Sequence, residues 1–292
     1  MQMALEEMTL VVFTTLAPAG IVATVLLACV LVCTPAGERA ARLSRHLVIP
    51  LGVAVVGLVA SAAHLGTPAN VLYVITGVGR SPLSNEVAAA VVFFVVGGIY
   101  WIASFAWEPP AVFARVWLAV LVVAGAAALV SIAYAYAVPT IPTWNMAQVP
   151  FALAAGGIAC GPVLALFTML VARVFPSTRL WHLLFAIAIV GAVAGAITFA
   201  SEYAALPGMR TTAHRAVELV PFWLPALASF AVLEAAALVL MLGACKKLPD
   251  ARIAKRGYRV VLLRLGAATL LGLLACFAMR FCFYSMCMTI GV

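Results

Sequence analysis

Long apolar runs separated by short polar loops dominate the chain. Eight runs are long enough to cross a bilayer, since a hydrocarbon core about 30 Å thick requires roughly 20 apolar residues in a helix. They lie near residues 9–33, 47–66, 86–107, 113–137, 149–174, 180–204, 221–245 and 259–285. These runs lack strand-like alternation, and within lipid a helix satisfies its own backbone hydrogen bonds. The pattern therefore predicts an all-α integral membrane protein, with residues 1–292 forming a single bundle of eight transmembrane helices.

The composition agrees with this class of protein. The chain is 66% hydrophobic and 9% charged, and its mean hydropathy is +1.20. The loops are too short for a soluble domain. The first run follows Glu6 and Glu7 and exceeds the length of a signal-peptide core, so we predict that it is retained as a span.

The basic residues indicate how the bundle is oriented. The net charge of +8 would suggest nucleic acid for a soluble protein, but here the basic residues cluster in loops and indicate topology, so no nucleic-acid partner is expected. Thirteen of the seventeen lie on one side of the eight-span arrangement, namely Arg39, Arg42, Arg45, Arg115, Arg173, Arg179, Lys246, Lys247, Arg252, Lys255, Arg256, Arg259 and Arg264. The positive-inside rule puts that side in the cytoplasm and both termini outside, in the cytoplasmic membrane of the cell.

Neither the cysteines nor the histidines give a strong cofactor signature. The seven cysteines lie in or beside apolar runs without any CxxC pair, which favours a role as small apolar filler. His46 with His182, or His64 with His214, would lie at similar depths, as a b-type haem requires. His46 and His182 have sequence surroundings that are ordinary for interfacial residues, and we expect no haem, iron–sulfur cluster or metal on this chain.

Small residues and one loop carry further predictions. Gly157 to Gly161 and Gly191 to Gly195 are GxxxG spacings, which favour close helix packing over ligand contact. The segment PTIPTWNMAQ, residues 139–148, joins the fourth and fifth runs. Its Trp144 is predicted to be an interfacial anchor.

A histidine and a carboxylate are predicted to share the outer edge of the bundle. The second helix should end near Gly66, which places His64 in a last turn where the helix dipole favours a protonated ring. Glu86 should fall in the first turn of the third helix, with Ser81 or Ser84 as N-cap. Capping explains each residue separately, but a hairpin brings both to one edge, where a base and a carboxylate can relay protons from a lipid-soluble hydroquinone to water.

Two ionisable side chains lie deeper in the predicted spans. Glu234 is thirteen residues into the seventh run, and such residues usually face the protein interior. It could be neutral or paired with Arg264, or form the centre of a proton-coupled transporter. Arg280 shares a stripe with Tyr284 and Cys287 in the eighth run; the arginine and the tyrosine could hold a quinone carbonyl, although snorkelling and interface anchoring fit equally well.

Several motifs resemble the DmsC family, the membrane anchor subunits of dimethyl sulfoxide reductase. The matching pieces are SAAHLGTP (61–68), SPLSNE with FFVVGGIYW (81–101), IPTW (141–144), CGP (160–162) and RFCFYSMCMTIG (280–291). Their order and spacing agree across nearly the whole chain, and the His-Leu-Gly-x-Pro and Ser-x-Leu-Ser-Asn-Glu pair is the most specific. Two positions depart from the family pattern, with Cys287 in place of a histidine and Phe281 in place of a glycine.

The resemblance implies a heterotrimer in anaerobic respiration. The anchor would bind menaquinol and pass electrons to a subunit carrying [4Fe-4S] clusters and then to a molybdopterin subunit that reduces S-oxides or N-oxides. His64 would be the quinol-site residue with Glu86 close by, and Gly66, Arg80, Tyr100, Arg280, Tyr284 and Glu234 are further candidates. Because the chain lacks cluster ligands, the partner should dock on the side of His64, outside the cell. An anchor of the NrfD or polysulfide reductase type is the alternative.

Overall fold

The computed structural model describes residues 2–63, 74, 76–106, 109–210 and 215–288, and these ranges are helical apart from turns and one isolated bridge between Arg210 and Arg215. The α-helices are α1 (Gln2–Glu6), α2 (Met8–Val32), α3 (Glu38–Arg45), α4 (Val48–Ala63), α5 (Pro82–Ala106), α6 (Ala111–Ala135), α7 (Val149–Val171), α8 (Thr178–Ala205), α9 (Trp223–Lys246), α10 (Leu248–Ile253) and α11 (Lys255–Ser285). Within these described ranges, eight segments are long and apolar enough to cross a membrane, with α3 and α4 together forming the second. The predicted eight spans are confirmed, and the chain is a multi-pass membrane protein.

Two helix starts differ from the sequence prediction. The second span begins with the short α3, which carries Glu38 and the arginines that were assigned to the loop. Helix α5 begins at Pro82, whose fixed φ suits the first turn of a helix. Ser84 is therefore inside the helix and buried rather than an N-cap, and Glu86 lies in the second turn. Ser81, the other N-cap candidate, directly precedes the helix, and its carbonyl accepts from the Asn85 N–H as that of an N-cap residue does.

Helices α2 and α7 form the centre of the bundle. About 67% of the apolar window of α2 and 78% of that of α7 is buried within the protein, against 22% for α5 and for α9. Helix α2 packs against α4, α6, α7 and α11, while α7 also contacts α8 and α11. The peripheral helices consequently present their valine and leucine side chains outward, as a lipid environment permits.

Glycines allow the central helices to approach closely. A Cβ atom at Gly157 would lie 2.9 Å from the Pro18 side chain of α2, and one at Gly191 would collide with the Ala159 backbone of α7. A Cβ at Gly195 would lie 2.8 Å from the Phe230 ring of α9. The packing interpretation of both GxxxG spacings is therefore confirmed.

The alternating helix directions define two faces of the bundle. We call the end at which α2 begins and α11 ends the terminal face, and the opposite end, which carries Lys246 and Lys247, the basic face. Helix α4 ends at the terminal face and α5 begins there. Likewise, α6 ends at this face and α7 begins there. That the terminal face lies outside the cell stays a prediction from the charge distribution.

Candidate functional site

Four polar side chains are buried together near the terminal face. Glu86 of α5 is 3% exposed, Glu202 of α8 0%, Arg280 of α11 1% and Tyr284 of α11 0%. Three separate helices thus supply two carboxyl groups, one guanidinium and one phenol. We call these four residues the terminal cluster.

Aromatic residues from neighbouring segments surround the terminal cluster. The Tyr136 ring, at the end of α6, meets the Tyr284 ring edge to face with centroids 5.9 Å apart. Trp144 stacks on Phe283 at 5.1 Å and contacts Tyr284 at 5.5 Å. These rings provide an apolar wall with a preference for another aromatic ring.

The loop before α7 is fixed to the end of α11 by hydrogen bonds. Trp144 Nε1 donates to the Phe283 carbonyl over 3.1 Å, and the Thr143 hydroxyl donates to the Met286 carbonyl over 2.5 Å. Trp144 is only 8% exposed. The prediction that it is an interfacial anchor is wrong, because its indole N–H finds a carbonyl partner inside the protein.

Charges within the terminal cluster are near enough to influence one another. Arg280 is within electrostatic range of Glu202 on one side and of Tyr136 and Tyr284 on the other. Glu86 is in turn within range of both tyrosines. The guanidinium also lies over the Phe283 ring, 5.2 Å from its centroid. Arg280 is therefore the cation that faces the buried Glu202 carboxyl group.

Much of the hydrogen-bonding capacity of the terminal cluster is unused within the chain. Among the described residues, these buried atoms have no hydrogen-bond partner: Glu86 Oε2, Glu202 Oε1 and Oε2, and Arg280 Nη1 and Nη2. Buried polar atoms are nearly always paired in native proteins, and leaving one unpaired costs about 1–3 kcal/mol. The cluster is therefore suited to a polar guest that both donates and accepts hydrogen bonds.

Arg280 and Tyr284, the candidates from the eighth span, lie together in the bundle interior, and their role toward a quinone stays a prediction. Both are essentially inaccessible, so the alternatives of snorkelling for the arginine and interface anchoring for the tyrosine are wrong. Cys287 lies beyond the end of α11 and is half-buried. Of the three residues predicted to share one side of the eighth span, Arg280 and Tyr284 are therefore in the buried interior and Cys287 is not.

Other candidates lie elsewhere. Tyr100 is fourteen residues beyond Glu86 on α5, about 21 Å along the helix axis, and its hydroxyl is 3.3 Å from that of Ser44 near the basic face. Arg80 is exposed in the turn before α5. Glu234 is buried on α9, while the Arg264 guanidinium donates to the Gly243 carbonyl over 2.5 Å, so the arginine has a partner other than Glu234.

His64 is the residue that the sequence favours most strongly for the quinol site. His64 and Gly66 both lie outside the described residues. The last described residue before them, Ala63, ends α4 at the terminal face. The proximity of His64 and Glu86 stays a prediction.

Sequence reasoning missed two residues of the site. Glu202 lies near the end of its apolar run, in the sequence ASEYAA, so it resembles a residue of the following loop. An acidic residue within a span is nevertheless itself a signal of function. Tyr136 ends α6, where a tyrosine ordinarily marks the interface. Only the tertiary packing separates these two from ordinary boundary residues.

A second polar region lies near the basic face. A cavity of about 110 Å³ is lined by Ser44, Tyr100, Arg115 and Trp117 together with smaller apolar residues. The Ser44 and Tyr100 hydroxyls pair with each other there. The buried polar groups of this cavity are thus mutually satisfied, in contrast to those of the terminal cluster.

Comparison with known proteins identifies the relatives of this protein. Residues 1–286 match the family model described as DMSO reductase anchor subunit, DmsC. The sequence is 30% identical over 237 residues to the anaerobic dimethyl sulfoxide reductase subunit YnfH of Escherichia coli (strain K12), covering 81% of this protein and 79% of the relative. It is 28% identical over 238 residues to the C subunit of the same organism's anaerobic dimethyl sulfoxide reductase, with the same coverage. For the C subunit of the Haemophilus influenzae enzyme the identity is 31% over 147 residues, 50% of this protein and 53% of the relative.

Proposed function

We propose, from the premise that this chain belongs to the DmsC family of dimethyl sulfoxide reductase anchor subunits, that it binds menaquinol at the terminal cluster and oxidises it. The family match spans nearly the whole chain, which supports reading the cluster as part of an anchor subunit. It also leaves the proton-coupled transporter hypothesis built on Glu234 without support.

The unpaired polar atoms of the terminal cluster carry this proposal. A hydroquinone headgroup has two hydroxyl groups on opposite edges of an aromatic ring. One hydroxyl can donate to the Glu86 carboxylate, and the oxygen at the other edge can accept from Arg280. Tyr136 and Tyr284 supply aromatic edges beside such a ring. A headgroup of this kind satisfies the buried atoms that the chain leaves unpaired.

Oxidation releases two electrons and two protons for each quinol that becomes quinone. By family resemblance His64 is the first proton acceptor, and Glu86 is the relay beside it. Because Glu86 lies near the start of α5, the end of that helix at the terminal face, the protons leave toward that side. If the terminal face lies outside the cell, they are released outside.

The electrons must pass to another polypeptide. Family membership favours an iron–sulfur subunit carrying [4Fe-4S] clusters, which relays them to a molybdopterin subunit that reduces an S-oxide or N-oxide in anaerobic respiration. The electron-transfer subunit would dock on the terminal face, within tunnelling distance of the quinol. Protons and electrons then leave on the same side, so this step does not by itself build a proton gradient.

Replacing His64 tests the proposal directly. We expect His64→Ala to lower quinol-driven S-oxide reduction by the complete complex about 100-fold or more, since the first proton acceptor is lost. Activity driven by a reduced viologen dye, which bypasses the anchor, should be unchanged. His182→Ala, an exposed histidine near the basic face, serves as the control and should retain both activities. Quinol-driven turnover of wild-type size in His64→Ala would contradict the assignment.

A further inference from the structure

Two cysteines and a glutamate converge inside the bundle, away from the terminal cluster. Cys160 of α7, Cys276 of α11 and Glu234 of α9 are 2%, 3% and 5% exposed. The two sulfur atoms are 3.5 Å apart, and one donor atom from each residue lies within 4.8 Å of the others. Cys276 is four residues before Arg280, about 6 Å along α11 toward the basic face. We call these three residues the thiol cluster.

The thiol cluster contains an unsatisfied buried acceptor and is bordered by a glycine. Glu234 Oε1 has no hydrogen-bond partner among the described residues. Gly272 of α11 borders the donors, because a Cβ there would lie 3.2 Å from Cys160 Sγ and 3.9 Å from Glu234 Oε1. The carbonyl oxygen of Gly156 is 3.5 Å from Cys276 Sγ. Three side-chain ligand atoms thus converge, and a backbone carbonyl oxygen lies beside one of them.

We propose that the thiol cluster binds a thiophilic divalent cation of the zinc class. Zinc forms bonds of about 2.3 Å to sulfur in tetrahedral geometry, which sets the two sulfur atoms about 3.7 Å apart. The observed separation of 3.5 Å requires only a small adjustment. Glu234 supplies the third ligand, and this contact accounts for its otherwise unpaired oxygen.

Charge balance selects the class of ion. Binding replaces two thiol protons by one divalent cation, so that two thiols and M²⁺ give M(S)₂ and two released protons. Because two positive charges leave and two arrive, binding does not change the net charge of the cluster, which a low-dielectric interior favours. A monovalent ion on two thiolates would leave one negative charge. Magnesium and calcium prefer six or more oxygen ligands, which these residues do not supply.

A disulfide between Cys160 and Cys276 is the competing interpretation. Its sulfur atoms must approach to about 2.05 Å, and the Glu234 oxygen would still have no partner. A bound cation uses all three donors. The sequence prediction that these cysteines are apolar filler leaves the carboxyl group unexplained as well.

Metal content measures the proposal without reference to activity. The full-length chain is solubilised in detergent under reducing conditions, stripped with a chelator, equilibrated with Zn²⁺ and freed of unbound metal. We expect close to one zinc per chain. The double variant Cys160→Ser/Cys276→Ser should bind at least about tenfold less, and Glu234→Gln should weaken binding about tenfold or more. The matched control Cys29→Ser/Cys33→Ser removes an exposed cysteine pair and should bind zinc like the wild type.

Thiol alkylation provides a second readout that needs no variant. Zinc should protect Cys160 and Cys276 of the wild-type chain from a membrane-permeable maleimide, while Cys29 reacts equally with and without zinc. Failure of the wild type to take up zinc would overturn the proposal, as would equal alkylation of the two buried cysteines under both conditions. Recovery of the pair only as a disulfide, or undiminished zinc binding by the double variant, would also overturn it.

Discussion

Glu86→Gln is expected to lower quinol-driven turnover of the complex about 100-fold or more, because the amide cannot take up the quinol's protons and pass them on. The substitution preserves the size of the side chain and its buried position. Dye-driven reduction by the same preparation should stay at the wild-type rate, because electrons from the dye enter the other subunits without passing through the anchor. The ratio of the two activities is the measurement.

Glu218→Gln is the matched control for that experiment. Glu218 lies in the short helix Ala216–Leu219 near the terminal face and is exposed. The Glu218→Gln complex should keep both activities. A loss of quinol-driven activity in this variant would show that removing any acidic residue near the terminal face has a general effect. Equal ratios for Glu86→Gln and wild type would remove Glu86 from the proton path.

Arg280→Gln is expected to produce the second large effect. Loss of the guanidinium removes a hydrogen bond from a charged donor to the quinol oxygen, so the KM for quinol should rise about tenfold to a hundredfold. The same change leaves Glu202 buried without its counter-charge, and it should lower the thermal stability of the solubilised complex. Arg280→Lys keeps the positive charge but loses the planar guanidinium group, so its KM for quinol should lie between those of the wild type and Arg280→Gln.

Two comparisons separate quinol binding from folding for Arg280. Arg215→Gln, an exposed arginine near the same face, should change neither KM nor stability. Arg280→Lys should restore much of the stability while its KM stays elevated. An Arg280→Gln complex that is less stable but has a wild-type KM would restrict this residue to a structural role.

The eight spans were predictable because lipid imposes a strong constraint on the backbone. A long apolar run has essentially one way to cross a bilayer, so run length alone locates each helix. The boundaries were less predictable where polar sequence continues a helix, as in α3 and at Pro82. The Ser84 assignment failed for this reason, since the helix began before the apolar run did.

The candidate site was only partly accessible from sequence. Arg280 and Tyr284 are four residues apart on one helix, so their common direction followed from helical periodicity. The contact of Tyr284 with Tyr136 and its proximity to Glu86 depend on how three helices pack. Trp144 looked like an interface anchor because its loop was expected at the surface, yet the loop folds onto α11.

Long-range convergence explains why the thiol cluster was not predicted. Cys160 and Cys276 are 116 residues apart, and neither belongs to a close-spaced metal motif. Glu234 was recognised as unusual because of its depth, but its neighbours come from two other helices. The spacing of residues along a sequence predicts contacts within one helix, whereas the thiol cluster is formed by side chains from three different helices.

Photoaffinity labelling tests most directly whether the quinol binds at the terminal cluster. The complete complex would be illuminated with an azido-substituted naphthoquinone, with and without excess menaquinol analogue as competitor, and the labelled peptides identified by mass spectrometry. We predict competable labelling of the peptides that contain Glu86, Tyr136 and Tyr284. Competable labelling confined to the peptides of the basic-face cavity, around Ser44, Tyr100 and Arg115, would contradict this account.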